Sequence, residues 1–165
     1  MTDALLQMRQ MALEYTPSVI LRAAMEAEII KALGGRRAFG AGSGRIDLLA
    51  EIERGLPVKT YVALVKALGL TPAEEDRLLQ VSLRTRVRWK QRSRLNSATS
   101  DRIVRVARIL ALATDVLENQ AHAVAWLREP SDVLNGRAPL QAISSDFGAE
   151  KVTNLLHQME YGVYS

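Results

Sequence analysis

One long amphipathic segment, residues 102–118, constrains the fold more than any other feature of the sequence. Its apolar side chains recur every three or four positions, as on one face of an α-helix: Ile103, Val106, Ala107, Leu110, Ala113 and Leu117. Few segments alternate as strands do, and many others repeat at helical spacing. We therefore predict an all-α fold.

Capping residues, prolines and glycines divide the rest of the chain into further helices. The clearest start signal is Thr71-Pro72-Ala73-Glu74, with a capping threonine, a proline in the first turn and a glutamate placed to close a capping box. Loops are expected over residues 36–45, 96–101 and 128–138, with a turn opened by Pro139. The predicted helices span residues 4–13, 17–33, 46–54, 57–68, 72–80, a short segment after Ser82, 102–118, 120–127 and 149–160.

Composition excludes several classes of protein. The chain has 165 residues, is 48% hydrophobic and contains no cysteine, so it can bury a core but forms neither disulfides nor thiolate metal sites. It has no apolar run of about 18 residues, which predicts no transmembrane helix. The N-terminus carries an acid and lacks a basic region, so we expect no signal peptide, no membrane association and a cytoplasmic location.

Charge is distributed unevenly along the chain. Residues 1–83 hold ten basic and ten acidic side chains, residues 84–108 hold nine basic and one acidic, and residues 109–165 hold three basic and seven acidic. A basic middle followed by an acidic end predicts two faces with two partners, of which the basic one suits a polyanion. The alternative is a solvated surface without a partner.

The basic run of residues 84–94 has a period of two and contains no acid. As a strand it would place every charge on one face, as in ribbon-helix-helix repressors. The capped helix before it favours a helix-turn-helix, with Leu83, Val87 and the Trp89 ring towards the core. Arginine pairs with guanine edges and neutralises phosphate, so the predicted DNA-binding residues are Arg84, Thr85, Arg86, Arg88, Lys90, Arg92 and Arg94.

No catalytic or cofactor motif emerges. The glycines of residues 40–44 lack a preceding strand and a Lys-Ser/Thr pair, so we interpret them as a connector and not as a phosphate-binding loop. His122 and His157 are the only histidines and are far apart in sequence, which gives little support to a zinc site. We expect no enzyme, no metal and no cofactor.

The C-terminal sequence Tyr161-Gly162-Val163-Tyr164-Ser165 is unusually aromatic for a chain end. Gly162 allows the backbone to leave the preceding helix at an angle, and the tyrosines offer rigid apolar area with a hydroxyl group. Either this chain holds the rings, against Trp126 and Phe147, or a partner does.

The C-terminal segment resembles the toxin-binding domain of the Xre/MbcA/ParS antitoxin family. The resemblance covers about the last 45 residues and rests on the order and spacing of these motifs: Ala125-Trp126-Leu127, Pro130, Leu134-Asn135-Gly136-Arg137-Ala138-Pro139-Leu140, Gly148, Val152, Leu155-Leu156 and Tyr161-Gly162-Val163-Tyr164.

The middle of the chain resembles the Xre-type antitoxins that are paired with RES-domain toxins. The similar residues are Ile52-Glu53-Arg54-Gly55-Leu56-Pro57, the Leu-Gly-Leu at 68–70, the helix-turn-helix, and Ser100-Asp101-Arg102. Ala98-Thr99 depart from the family, whose members more often carry a glutamate near the Ser-Asp-Arg. Residues 1–33 have no counterpart that we can match.

The resemblance implies an antitoxin that neutralises a RES-domain, NAD⁺-consuming toxin and represses its own operon. By this resemblance the tail of Tyr161, Gly162, Val163, Tyr164 and Ser165 binds the toxin. The implied organisation is an N-terminal region (1–45), an Xre-like helix-turn-helix domain (46–118) and a toxin-binding domain (119–165). Helix-turn-helix proteins usually bind two half-sites, so we expect a homodimer. The alternative function is a stand-alone transcriptional regulator whose C-terminal domain senses a ligand or dimerises.

Overall fold

All regular elements in the described part of the chain are helical. The computed structural model describes residues 22–40, 44–89 and 91–162. The predicted helix over residues 4–13 and the start signal at Thr16-Pro17 lie outside these residues, as do Lys90 and residues 163–165. The helices are α1 (22–32), α2 (Gly35–Ala38), α3 (Leu48–Arg54), α4 (Val58–Leu68), α5 (Pro72–Leu79), α6 (Leu83–Trp89), α7 (Ser97–Val116), α8 (Gln120–Arg128), a 3₁₀ turn (Asp132–Leu134), α9 (Pro139–Ala142) and α10 (Asp146–Glu160).

The predicted capping box at Thr71–Glu74 and the predicted helix stop at Gly69 are confirmed. The Thr71 hydroxyl accepts a hydrogen bond from the Glu74 amide, and the Glu74 carboxylate accepts one from the Thr71 amide, which closes the predicted capping box. Gly69 ends α4 in the left-handed conformation, with φ 60°. Side chains of Asp47, Asn96, Asn119 and Ser145 cap four other helices.

Three predicted boundaries were wrong. The polar stretch 96–101 is not a loop: Asn96 is the N-cap of α7, which starts at Ser97. The last helix starts at Asp146 instead of residue 149, because Ser145 accepts a hydrogen bond from the Gly148 amide and caps it. The predicted loop after Arg36 contains the single helical turn α2. At α7 and α10, short polar residues that were assigned to a loop cap the helix or form its first turn.

Helix α7 is the centre of a single hydrophobic core. Helices α3, α4 and α5 pack against it, and so do α8 and α10. The predicted stripe is buried from Ile103 to Ala113, and Leu117 is half-buried. Residues 109–113 are buried without interruption, because helices cover more than one face of α7 there. Helices from both halves of the chain therefore pack against α7.

A short antiparallel contact ties the segment after α6 to the start of α4. The Leu95 amide donates to the Leu56 carbonyl at 2.8 Å, and the Val58 amide donates to the Ser93 carbonyl at 3.0 Å. The buried Leu56 amide donates to Ser100 Oγ at 2.8 Å, which adds α7 to the joint. Gly55 lies where a Cβ atom would overlap the Leu95 carbonyl oxygen.

Replacing Gly55 with alanine should destabilise the protein far more than the same change at Gly69. Both glycines have positive φ, 83° and 60°, which costs an L-residue about 1–2 kcal/mol. Only at Gly55 does the new Cβ meet backbone, whereas at Gly69 nothing lies within 4 Å. We expect a loss of about 3 kcal/mol or more for Gly55→Ala and about 1 kcal/mol for Gly69→Ala by urea denaturation. Equal losses would contradict this account of the joint.

Candidate functional surfaces

Helices α5 and α6 form the predicted helix-turn-helix. Gln80 ends α5 in the left-handed conformation, with φ 52°, so that the chain reverses within a few residues. Ser82 then opens α6, since its hydroxyl accepts a hydrogen bond from the Thr85 amide at 3.3 Å. The basic run therefore begins on a helix, and the strand alternative for residues 83–89 is wrong.

A buried ion cluster lies beneath α6. The Arg86 guanidinium pairs with Glu75 and with Asp76, each at 3.1 Å, and donates to the Pro72 carbonyl at 3.0 Å. Its side chain is only 12% exposed. The Tyr61 hydroxyl donates to the same Glu75 carboxylate. Side chains of α4 and α6, Tyr61 and Arg86, thus hold one carboxylate of α5.

An aromatic contact adjoins this cluster. The Tyr61 and Trp89 rings meet edge to face, with centroids 4.8 Å apart and an interplanar angle of 71°. Burial raises the pKa of Tyr61 well above its usual value, and the hydrogen bond to Glu75 raises it further. The hydroxyl therefore stays protonated and serves as a permanent donor. Arg86 and Trp89 together anchor α6 to the body of the domain.

The outward face of α6 differs from the one predicted. Leu83 and Val87 are 66% and 54% exposed, so the prediction that they face the core was wrong, whereas that for Trp89 is confirmed. At about 100° per residue, the midpoint between Leu83 and Val87 lies about 110° around the helix from that between Arg86 and Trp89, so the apolar pair lies beside the buried side. The signal was available in the sequence, because charges at every second position cannot all lie on one face of a helix.

The remaining members of the basic run have different surroundings. Arg84, Arg88 and Arg92 are exposed, and Thr85 is half-buried against Ser82. Arg94 pairs with Glu51 at 3.0 Å and donates to the Gly55 carbonyl at 2.5 Å, so it belongs to the joint described above. Lys90 lies outside the described residues. The structure thus divides the predicted DNA-binding residues into exposed side chains and side chains, Arg86 and Arg94, that form ion pairs within the fold.

The helix-turn-helix is tied to α8 by a second ion pair. Arg128 Nη1 lies 2.7 Å from Glu74 Oε1, and Arg128 Nη2 donates to the Leu68 and Gly69 carbonyls at 2.9 and 2.8 Å. Arg128, together with the Thr71 amide and hydroxyl, lowers the pKa of Glu74 from 4.5 to about 2. No local signal in the sequence predicts this pair, because its two residues are 54 positions apart in the chain.

Residues of the C-terminal motif form the turns between the helices that lead into α10. Asn135 and Gly136 are both left-handed, with φ 57° and 73°, and they close a turn in which the Ser131 amide donates to the Arg137 carbonyl. Pro139 opens α9. Gly148 must be glycine, because a Cβ there would overlap the Ala142 carbonyl oxygen. The motif therefore fixes the path of the chain into α10.

A stripe of exposed side chains runs along α10 to the tail. Its members lie at spacings of three and four residues: Phe147, Lys151, Asn154, Gln158 and Tyr161. The Lys151 ammonium lies 5.2 Å from the centre of the Phe147 ring. Beside the stripe is a shallow groove whose other wall includes Leu134 and the 56% exposed Val133. Such exposed apolar side chains around a groove are typical of a protein-binding surface.

The tail leaves α10 at Tyr161. Tyr161 is 74% exposed, so it is not part of the core and does not pack back on this chain. Its amide donates to the His157 carbonyl at 3.0 Å, and Gly162 follows with φ 64°, the left-handed conformation that the sequence predicts. Val163, Tyr164 and Ser165 lie outside the described residues.

Neither a metal site nor a membrane span is found in residues 22–40, 44–89 and 91–162. No three His, Asp or Glu side chains there are placed to hold a metal ion, and His122 and His157 are both exposed. None of the helices in this part of the chain is long and apolar enough to cross a membrane.

Comparison with known families matches both halves of this architecture. Residues 47–108 match the antitoxin Xre-like helix-turn-helix domain, and residues 112–162 match the antitoxin Xre/MbcA/ParS C-terminal toxin-binding domain. The chain belongs to the Xre/MbcA/ParS antitoxin family. The boundary between the two matches falls within α7, the helix that both halves share.

Two individual proteins are similar over most of their length. The antitoxin Xre of Pseudomonas putida is 29% identical over 117 residues, which cover 70% of this chain and 72% of that protein. The antitoxin Xre of Yersinia enterocolitica is 26% identical over 132 residues, 78% of this chain and 89% of that protein. The two matched domain families are antitoxin families and not known enzyme families.

Removing the Arg86 side chain should cost far more stability than removing its neighbour Arg88. Arg86→Ala leaves Glu75 buried, 7% exposed, with an unpaired charge, so we expect a loss of about 3 kcal/mol. Arg88→Ala alters an exposed side chain and should stay within about 0.5 kcal/mol of the parent. Thermal and urea unfolding measure both. A stability loss confined to Arg88→Ala would contradict the assignment.

Acid should weaken the tie between Glu74 and Arg128. Because the folded-state pKa of Glu74 is depressed, its stabilisation is complete above pH 4.5 and is lost as the pH falls towards 2. We expect Glu74→Gln to lower the free energy of unfolding by about 1 kcal/mol at pH 7, since the pair is partly exposed. The two unfolding curves should converge near pH 2–3. Glu53→Gln at an exposed position is the control, and a gap that stays constant with pH would refute the assignment.

Proposed function

We propose that this protein is the antitoxin of a type II toxin–antitoxin pair that neutralises a RES-domain, NAD⁺-consuming toxin and represses its own operon. The observation that carries the proposal is the pairing of two different exposed surfaces on one core. One is the cationic outer face of α6, and the other is the stripe of α10 that ends at Tyr161. Family membership supplies the general roles of DNA binding and toxin binding.

In this proposal the toxin contacts α10 and the tail together. Phe147 and Val133 provide apolar area beside the groove, and Tyr161 continues the same stripe. Gly162 has a left-handed backbone at the end of the helix. In this proposal Tyr164 and Ser165 form the tip of an inhibitory plug.

DNA binding is proposed for the exposed part of the basic run. Arg84, Arg88 and Arg92 are the described arginines of this run whose side chains are exposed, and Lys90 and Thr85 remain in the proposal. We leave out Arg86 and Arg94, because their guanidinium groups are paired within the fold. A homodimer that spans two half-sites about 34 Å apart completes the proposed repressor.

The chain is proposed to divide into three regions. We propose an Xre-like domain over residues 46–118 and a toxin-binding domain over residues 119–165, with the N-terminal region 1–45 preceding them. The proposed boundary between the last two regions is next to the end of α7, whose C-cap is Leu117. Since the two proposed binding surfaces consist of exposed side chains, altering one should leave the fold of the whole protein intact.

Two surface variants separate the two proposed activities. Deleting Val163–Ser165 should abolish protection of cells that co-express the toxin, while promoter binding by gel shift stays within about twofold of the parent. The double variant Arg84→Glu and Arg88→Glu should do the reverse. Its loss of DNA affinity should be at least about tenfold, since two phosphate or base contacts become repulsive.

Both variants must keep the parent fold, and each has an outcome that would contradict the proposed surface. Circular dichroism and unfolding curves must match the parent for both variants. Arg84 and Arg88 are exposed, so replacing them should leave the core intact. Full protection by the truncated protein would disprove the plug. Promoter binding without any affinity for the toxin would favour a stand-alone regulator. Unchanged promoter binding by the double variant would place the DNA surface elsewhere.

A further inference from the structure

The outer face of α6 is not purely cationic. Two apolar side chains one turn apart, Leu83 and Val87, lie beside two arginines one turn apart, Arg84 and Arg88. At about 100° per residue, these four side chains occupy an arc of roughly 140°. The arc lies opposite Arg86 and Trp89, so the ion cluster and ring contact beneath the helix hold the four side chains outward.

Charge decides which partner this mixed face suits. Residues 84–94 contain no acid, and the acids nearest to α6, Glu75 and Asp76, are paired with Arg86. An acidic polymer is therefore favoured over a second copy of the same cationic face. A polyanion alone does not account for Leu83 and Val87, because apolar side chains add nothing to phosphate binding.

The major groove of DNA offers an apolar group that fits. The thymine C5-methyl group is the apolar feature on the major-groove edge of the base pairs, and aliphatic side chains contact it. Guanine N7 and O6 lie on the same edge and accept hydrogen bonds from arginine. A helix face that carries both kinds of side chain is thus complementary to a groove in which thymine and guanine are close together.

We propose that Leu83 and Val87 determine operator specificity by contacting thymine C5-methyl groups, while Arg84 and Arg88 contact guanine edges or phosphates beside them. This inference rests on the proposed function and deepens its DNA-binding part. Leu83 and Val87 are about 6 Å apart along the helix axis, which matches about two base-pair steps of 3.4 Å. Each half-site should therefore contain thymines within about two steps of each other, next to guanine.

The test begins with selection of DNA by the full-length protein. A library of random 30-bp duplexes is selected in the presence of non-specific competitor, and the selected duplex is then synthesised with deoxyuridine in place of individual thymidines. Uracil pairs as thymine does and lacks only the methyl group. Loss of one contacted methyl should weaken binding about fourfold, and positions without contact should not respond.

Matched leucine variants assign the effect to α6. Leu83→Ala should bind the thymine duplex about as weakly as the parent binds the uracil duplex, and it should no longer distinguish the two at the contacted position. Leu49→Ala is the control, because Leu49 on α3 is 68% exposed, close to the 66% of Leu83. The control should keep the full uracil penalty. Val87→Ala should remove the penalty at the second thymine.

The outcomes distinguish failure of this inference from failure of the proposed function. If no sequence is selected over random DNA, the proposed repressor function fails. If a sequence is selected and uracil substitution has no effect at any thymine, the methyl contact is overturned while DNA binding stands. If Leu83→Ala changes the sedimentation coefficient and leaves uracil sensitivity intact, the apolar pair forms a protein interface, which also overturns the inference.

Discussion

The burial of α7 is the constraint on which the rest of the structure depends. A helix buried over residues 109–113 on all sides is stable only when elements from both halves of the chain cover it. The helix-turn-helix region packs on it through α3, α4 and α5, and the C-terminal region through α8 and α10. The Ser100 hydroxyl, within α7, also accepts a hydrogen bond from the buried Leu56 amide. The two proposed activities therefore share one folding unit, although their surfaces are separate.

A second constraint fixes the orientation of α6 on this core. A buried guanidinium is tolerated only where its charge and donors are paired, and Arg86 finds both in Glu75, Asp76 and the Pro72 carbonyl. That pairing sets the rotation of the helix, so the arginines at 84 and 88 face outward with Leu83 and Val87. The ion cluster thereby determines which side chains α6 presents to a partner.

Much of the fold could be predicted from local signals in the sequence. The Thr71–Glu74 capping box, the glycine stop at 69 and the periodicity of residues 103–113 each depend on interactions within a few residues, and each is confirmed. Boundaries at Ser97 and Asp146 were missed, because capping residues also resemble loop residues. The inward position of Arg86 depends on carboxylates of another helix, which no local pattern contains. The loop predicted over residues 128–138 contains the left-handed turn at Asn135-Gly136.

The central claim is that DNA and toxin bind separate surfaces of one rigid core. Amide hydrogen exchange, followed by mass spectrometry, tests it on the protein alone, with the proposed RES-domain toxin, and with the selected duplex. The account predicts that the toxin slows exchange in residues 131–165 and leaves residues 72–95 unchanged, and that the duplex does the opposite. Slowed exchange of residues 72–95 by the toxin, with residues 131–165 unaffected, would contradict it.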